Sequence, residues 1–228
     1  MKSSIKFQLS LMMFLQFFIW GGWFVTLGTF LGNNLNASGG QIAMAFSTQS
    51  LGAIIAPVFI GLIADRYFNA EKILGVLHLV GSVLLYLISQ TEEFSAFYPY
   101  VFGYMILYMP TLALVNSVSF NQMKDTALEF PFIRTFGTIG WIFSGIIISY
   151  VYNWYAKEAI AAGALSKTFK MVALASLLLG IFSFSLPKTM PYGIDSKAFT
   201  LKNAIGWDAI KLLNDRNFLS FFIASVLI

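Results

Sequence analysis

The stretch EFPFIRTFGTIGWIFSGIIISYVYNW, residues 129–154, has one arginine close to its start and no charge at all from Thr135 to Trp154. A helix that crosses the hydrocarbon core of a bilayer needs about 20 mostly apolar residues, so this stretch reads as a membrane span. Pro131 suits the first turn, where its missing N–H costs nothing, with Glu129 and Phe130 just outside the helix. Arg134 then stands about one turn inside. At about 100° per residue, Arg134, Thr138, Trp141 and Gly145 fall within roughly 60° of one another, so a cation, a hydroxyl, an indole and a gap share one narrow face. Such a face suits a polar cavity. The alternative is that Arg134 snorkels to the headgroups and merely orients the helix.

The rest of the chain fits a membrane setting. Of its 228 residues, 58% are hydrophobic and 11% charged, and the mean hydropathy is +0.76. That is too apolar for a soluble domain of this size, and the excess must face lipid. The absence of cysteine excludes disulfides, thiolate metal sites and cysteine nucleophiles. The net charge of +4 comes from basic residues scattered singly between apolar runs, which gives no nucleic-acid patch.

Six apolar runs have the length of spans: 8–32, 42–64, 73–90, 98–120, 131–154 and 168–187, with a seventh beginning near Asn217. The first is too long, and too bulky at Trp20 and Trp23, for a cleaved leader. The expected organisation is a six-helix transmembrane domain over 1–187, a cytoplasmic linker over 188–216 and the start of a further helix over 217–228. The linker contains LKNAIGWDAIKLL, which could lie on the membrane surface. Six helices, a long linker and another helix match the plan of a six-plus-six transporter, so the chain is expected to be truncated and to lack its second half. Eleven of the 14 Lys and Arg residues fall at the N-terminus, in the even-numbered connections or at Arg134, and three, Lys157, Lys167 and Lys170, fall in the odd-numbered ones. The positive-inside rule then puts the N-terminus and the linker in the cytoplasm, and Glu92-Glu93 outside.

Other polar groups stand at depth. Gln16, Trp20 and Trp23, at i, i+4 and i+7, share a face that could line a pocket or pack between helices. Gly21 and Gly22 would allow a close neighbour or a bend. In YMPTLALVNSVSF, residues 108–120, Pro110 frees a carbonyl that Thr111 or Asn116 can help satisfy, and such a polar segment either lines a substrate path or glues helices together. His78, the only histidine, reads as a hydrogen-bonded core residue more readily than as a proton relay. GLIADR, residues 61–66, ends the second run with Gly61, Asp65 and Arg66.

That loop resembles the signature between the second and third helices of the major facilitator superfamily, although Phe68 replaces its second glycine and only Lys72 is left of the basic cluster. FLQFFIWGGWFVTLGTF in the first run, YMPTLALVNSVSF in the fourth and FPFIRTFGTIGWI in the fifth together resemble the nucleoside:proton symporter family of that superfamily, from about Phe14 to Pro187. The resemblance implies an all-α major-facilitator six-helix bundle and nucleoside uptake with protons by alternating access, without a cofactor, in a protein that is monomeric at full length in the inner membrane. It assigns a nucleoside site to Arg134, Thr138 and Trp141, where the family usually has phenylalanine at the last position. Gln16, Trp20, Trp23 and Asn116 join them as candidate substrate contacts, and Gly61, Asp65 and Arg66 form the conformational loop motif. The proton-coupling carboxylate and the contacts from later helices would lie beyond Ile228.

Two other readings stand beside this one. A carrier of another polar solute, such as a sugar, has the same topology in its first half. A membrane-embedded enzyme would need paired carboxylates or a His-Asp constellation at a membrane face, and His78 and Asp65 lie on different runs with no supporting motif.

Overall fold

A computed structural model describes residues 2–190 and 211–227, and for 56–67, 226 and 227 it describes the backbone alone. The loop motif Gly61, Asp65 and Arg66 therefore keeps its side chains outside the described residues, as does LKNAIGWDAI of the linker.

The first apolar run is not one helix. α1, Ser3–Gly21, stops at Gly22, whose N–H still bonds to Phe18 O at 2.9 Å, and the chain turns before α2, Leu27–Asn34. Gly21 and Gly22 explain the close fit here, because a Cβ on Gly21 would come within 2.6 Å of Ser144 Oγ and one on Gly22 would overlap Val172. The expected span 8–32 is corrected to two helices with a turn between them.

α3, Gly39–Tyr67, opens on a capping box in which Ser38 Oγ accepts the Gln41 N–H at 3.4 Å and Gln41 Oε1 accepts the Ser38 N–H at 2.8 Å. α4 covers Ala70–Ile88 and α5 covers Phe94–Asn121, with Pro99 and Pro110 inside the latter. α6, Thr126–Tyr150, begins five residues before Pro131, because Asp125 caps it by accepting the Leu128 N–H at 3.1 Å. Arg134 is thus about two turns inside the helix and not one. A five-residue helix, α7 (Lys157–Ala161), follows, and Gly163 takes the left-handed φ of +78° that lets the chain enter α8, Ala164–Ser183. After the linker, α9 runs from Arg216 to Leu227.

Five of these helices, α1, α4, α5, α6 and α8, are long and apolar enough to cross a membrane, and α3 has 29 residues. α1 packs on α6 and α8, α4 on α5 and α8, and α3 on α5. Small residues permit the close crossings: a Cβ on Gly140 of α6 would overlap the Phe14 carbonyl of α1, and one on Gly52 of α3 would lie 2.7 Å from Met105 O of α5.

The chain leaving α8 does not swing free. Gln8 Nε2 donates to Ser185 O at 3.0 Å, Gln122 Nε2 to Lys188 O at 3.4 Å, and the Thr189 N–H to Glu71 Oε2 at 2.9 Å, so residues 185–189 form a strap across the ends of α1, α4 and α5. Glu71 is buried at 3% exposure and Thr189 at 1%. Losing the acceptor at Glu71 would strand a buried N–H, at a cost of about 1–3 kcal/mol. Glu71→Ala is therefore expected to lower the thermal unfolding midpoint of the purified protein, and Glu71→Gln, which keeps an acceptor oxygen, to retain most of it. Equal losses in both variants would show that the strap does not depend on this bond.

Candidate functional site

The unbroken helical pitch of α6 keeps Arg134, Thr138, Trp141 and Gly145 on one face, and none of the four is buried by neighbouring helices. The Arg134 guanidinium lies over the Phe17 ring of α1, 4.0 Å from its centroid. Gly137 makes this possible, since a Cβ there would come within 2.7 Å of both Arg134 Nη1 and the Phe17 ring. The guanidinium makes no hydrogen bond or ion pair with any described residue. Its five N–H donors remain available on the open side.

Beside it stands an aromatic group. Trp20 meets Trp141 edge to face at 5.8 Å and 73°, Tyr108 at 5.9 Å and 68°, and Phe24 at 5.9 Å and 70°. Trp20 Nε1 is enclosed and has no hydrogen-bond partner among the described residues. Of Gln16, Trp20 and Trp23, Trp20 is thus the member that reaches the edge of the bundle. Gln16 and Trp23 are both fully enclosed, Trp23 against Tyr104 and Phe169 at 5.6 Å each. Asn116 is half-buried on α5 and spends its amide on no described residue.

Gln16 is fixed at both ends of its amide. Its Nε2 donates to Thr111 Oγ1 at 2.7 Å, and its Oε1 accepts from His78 Nε2 at 2.8 Å, which puts the hydrogen on that ring nitrogen because an amide oxygen can only accept. His78 Nδ1 lies 3.0 Å from Ser176 Oγ, which is also 2.9 Å from His78 O. Tyr108 Oη donates to Gln16 O at 2.8 Å. One network thereby joins α1, α4, α5 and α8 in the bundle interior. His78 is the hydrogen-bonded core residue that its solitary placement suggested, and its partners were not legible because they lie 62 and 98 residues away. Phe17 and Tyr108 were also missed as supports. Phe17 follows Gln16 and has no periodic mark of its own, and Tyr108 was visible only as one aromatic of the fourth run.

Two hollows border the α1–α6 seam. One of about 510 Å³ lies at the N-terminal ends, where Lys6 Nζ sits 3.6 Å over the Phe132 ring. The other, about 200 Å³, lies toward the far end of α6 and is lined by residues that include Thr26, Trp141, Gly145, Ser149 and Trp154.

Comparison with known proteins places this arrangement. The profile of the family described as Nucleoside H+ symporter matches residues 3–228. The chain belongs to that family. It is 39% identical to YegT of Escherichia coli (strain K12) over 230 aligned positions, covering 100% of this chain and 52% of YegT. It is 35% identical to the xanthosine permease of the same organism, covering 99% of this chain and 52% of the permease. A crystal structure of a point mutant of the nucleoside transporter NupG superposes with a TM-score of 0.81 at 27% identity, covering 96% of this chain and 53% of that one. The fold is thus the all-α major-facilitator bundle that the sequence motifs implied. The family and its relatives are transporters and not enzymes. The chain spans about half the length of the curated relatives it matches.

The interior network gives a test of its own. Interhelical hydrogen bonds in membranes average about 0.6 kcal/mol and reach about 1.7. His78→Leu removes two of them, so a loss of about 1–3 kcal/mol is expected in thermal or denaturant unfolding. Because Gln16 shares one of those bonds, the double variant Gln16→Leu/His78→Leu should lose less than the sum of the single losses. Strict additivity would show that the two side chains do not act together.

Proposed function

We propose that the full-length protein takes up nucleosides across the cytoplasmic membrane with protons, by alternating access, and that the open side of α1 and α6 forms the first half of its substrate site. The observation that carries this reading is Arg134. It stands about two turns inside α6, leans on Phe17, and keeps its guanidinium donors unspent beside Thr138 and Trp141. A ribose offers hydroxyls that a guanidinium and a threonine can bind, and a nucleobase offers a flat face to an indole. Family membership and the substrates in the relatives' names favour nucleosides over sugars.

In this reading Trp20 completes the aromatic wall with Trp141. Gln16 and Trp23 act from behind, holding α1 in register, and Asn116 supplies a free amide on α5. Gly61, Asp65 and Arg66, in the last turns of α3, belong to the segment that rearranges between the outward-open and inward-open states. We assign the proton-coupling group to a carboxylate of the second half. The protein is monomeric and lies in the inner membrane with its N-terminus in the cytoplasm.

Arg134→Lys keeps the charge but loses the planar fork of donors, whereas Arg134→Ala loses both. Both variants should insert normally and lose at least about tenfold in proton-driven uptake of labelled uridine, the order of a lost charge-assisted hydrogen bond. Normal uptake by Arg134→Lys would argue against a geometry-specific site, and normal uptake by Arg134→Ala would end the proposal.

The orientation is checked separately. With Glu92→Cys introduced into a full-length protein otherwise free of cysteine, a membrane-impermeant thiol reagent should label intact cells from outside. Labelling only after the cytoplasmic face is opened would reverse the topology.

A further inference from the structure

Gly145 is unlike the other glycines of α6. Gly137 and Gly140 face side chains or backbone that a Cβ would strike, but a Cβ on Gly145 would meet nothing within 4 Å. A glycine inside a helix weakens it relative to alanine, so a glycine with no packing reason calls for another one. What it leaves is the hollow of about 200 Å³ whose walls include Trp141, Trp154, Thr26 and Ser149. Ser149 continues the stripe of Arg134, Thr138, Trp141 and Gly145 within a sector of roughly 80°.

The hollow is also chemically mixed. Trp154 is half-buried against the bundle instead of lying wholly exposed at the boundary. Most buried helix serines return their hydroxyl to the preceding turn, as Ser144 does to Trp141 O at 2.8 Å, whereas the hydroxyl of the half-buried Ser149 bonds to no described residue. Thr26 Oγ1 donates to Trp23 O at 3.1 Å and keeps its lone pairs for a donor. An acyl chain has no use for either hydroxyl. A flat heteroaromatic ring with polar edges uses both the hydroxyls and the indoles.

The geometry points to a second, outer subsite at Gly145, where the nucleobase of a nucleoside binds between the Trp141 and Trp154 sides of the hollow, farther along α6 than Arg134. This rests on the nucleoside reading above and adds to it a place and a size limit. Trp141 borders both positions, so a nucleoside can pass from the outer hollow to Arg134 without leaving an aromatic surface. Gly145 is the residue that keeps the hollow open.

The test is equilibrium binding of labelled uridine to the purified full-length protein. Gly145→Leu puts a branched side chain into the hollow, where a Cβ meets nothing within 4 Å, and should weaken binding by about tenfold, the order of one lost base–aromatic stack, with Gly145→Ala intermediate. Trp154→Ala should weaken it comparably, and Trp154→Phe, which keeps a ring, should remain within about twofold of the parent. Parental affinity in both Gly145→Leu and Trp154→Ala would overturn the subsite, including the case in which Gly145→Leu slows uptake alone, since the glycine would then make room for the second half. Arg134→Ala in the same assay separates the two ideas. If it abolishes binding while the hollow variants bind normally, the subsite falls and the nucleoside site stands. If the parent binds no uridine, both fall.

Discussion

The amide of Gln16, held between His78 Nε2 and Thr111 Oγ1, is the point at which α1, α4 and α5 are committed to one arrangement. In a bilayer, helix association gains nothing from expelling water, because lipid tails are as apolar as leucine. Packing and polar contacts must choose the partners instead. An amide bonded at both its nitrogen and its oxygen favours one rotation of α1 relative to α4 and α5, since a slip would break both bonds in a dry interior. Ser176 extends the condition to α8, and Tyr108 adds a bond to the α1 backbone. The close crossing at Gly140 then sets how near α6 lies to α1.

This separates two kinds of polarity. Behind α1, five polar residues are paired with one another, Gln16, His78, Thr111, Tyr108 and Ser176, although Trp23 Nε1 and Tyr104 Oη nearby have no hydrogen-bond partner among the described residues. On the open side of α6, Arg134 and Ser149 are not paired with any described residue. The first arrangement specifies a structure, and the second leaves capacity for something outside the half-bundle. Trp20 sits at the border, edge-on to Tyr108 on one side and to Trp141 on the other, so interior order is passed to the open face through ring contacts of 5.9 and 5.8 Å.

Much of this was legible wherever one helix runs unbroken. The stripe on α6 could be read from spacing because α6 keeps its pitch from Thr126 to Tyr150. Its start is not legible from Pro131, which suits a first turn, because Asp125 is the stronger cap and a proline on the sixth residue is tolerated. On α1, periodicity grouped Gln16, Trp20 and Trp23, but a shared face does not say which way it looks, and the turn after Gly21 ends the pitch before Trp23. The strap at Glu71 and the His78 network join residues 62 to 118 positions apart, and no local pattern encodes such pairs.

Arg134 finally constrains what can cover the open side. It lies eight residues past the start of α6, about 12 Å along the axis at 1.5 Å per residue. At the bilayer centre a guanidinium costs about 2.5–3.5 kcal/mol on insertion scales, and less nearer the interface, while a cation–π contact such as the one with Phe17 returns about 0.5–2. The contact offsets part of the cost and satisfies none of the N–H donors. Hydrocarbon supplies no acceptors, so the donors of Arg134 are satisfied either by reaching the headgroups or, on the reading proposed above, by an open side that meets water, a polar ligand or acceptors of another helix. A central aqueous cavity between two half-bundles provides all three in turn, which is why the position of this one cation speaks for a carrier more strongly than the number of helices does.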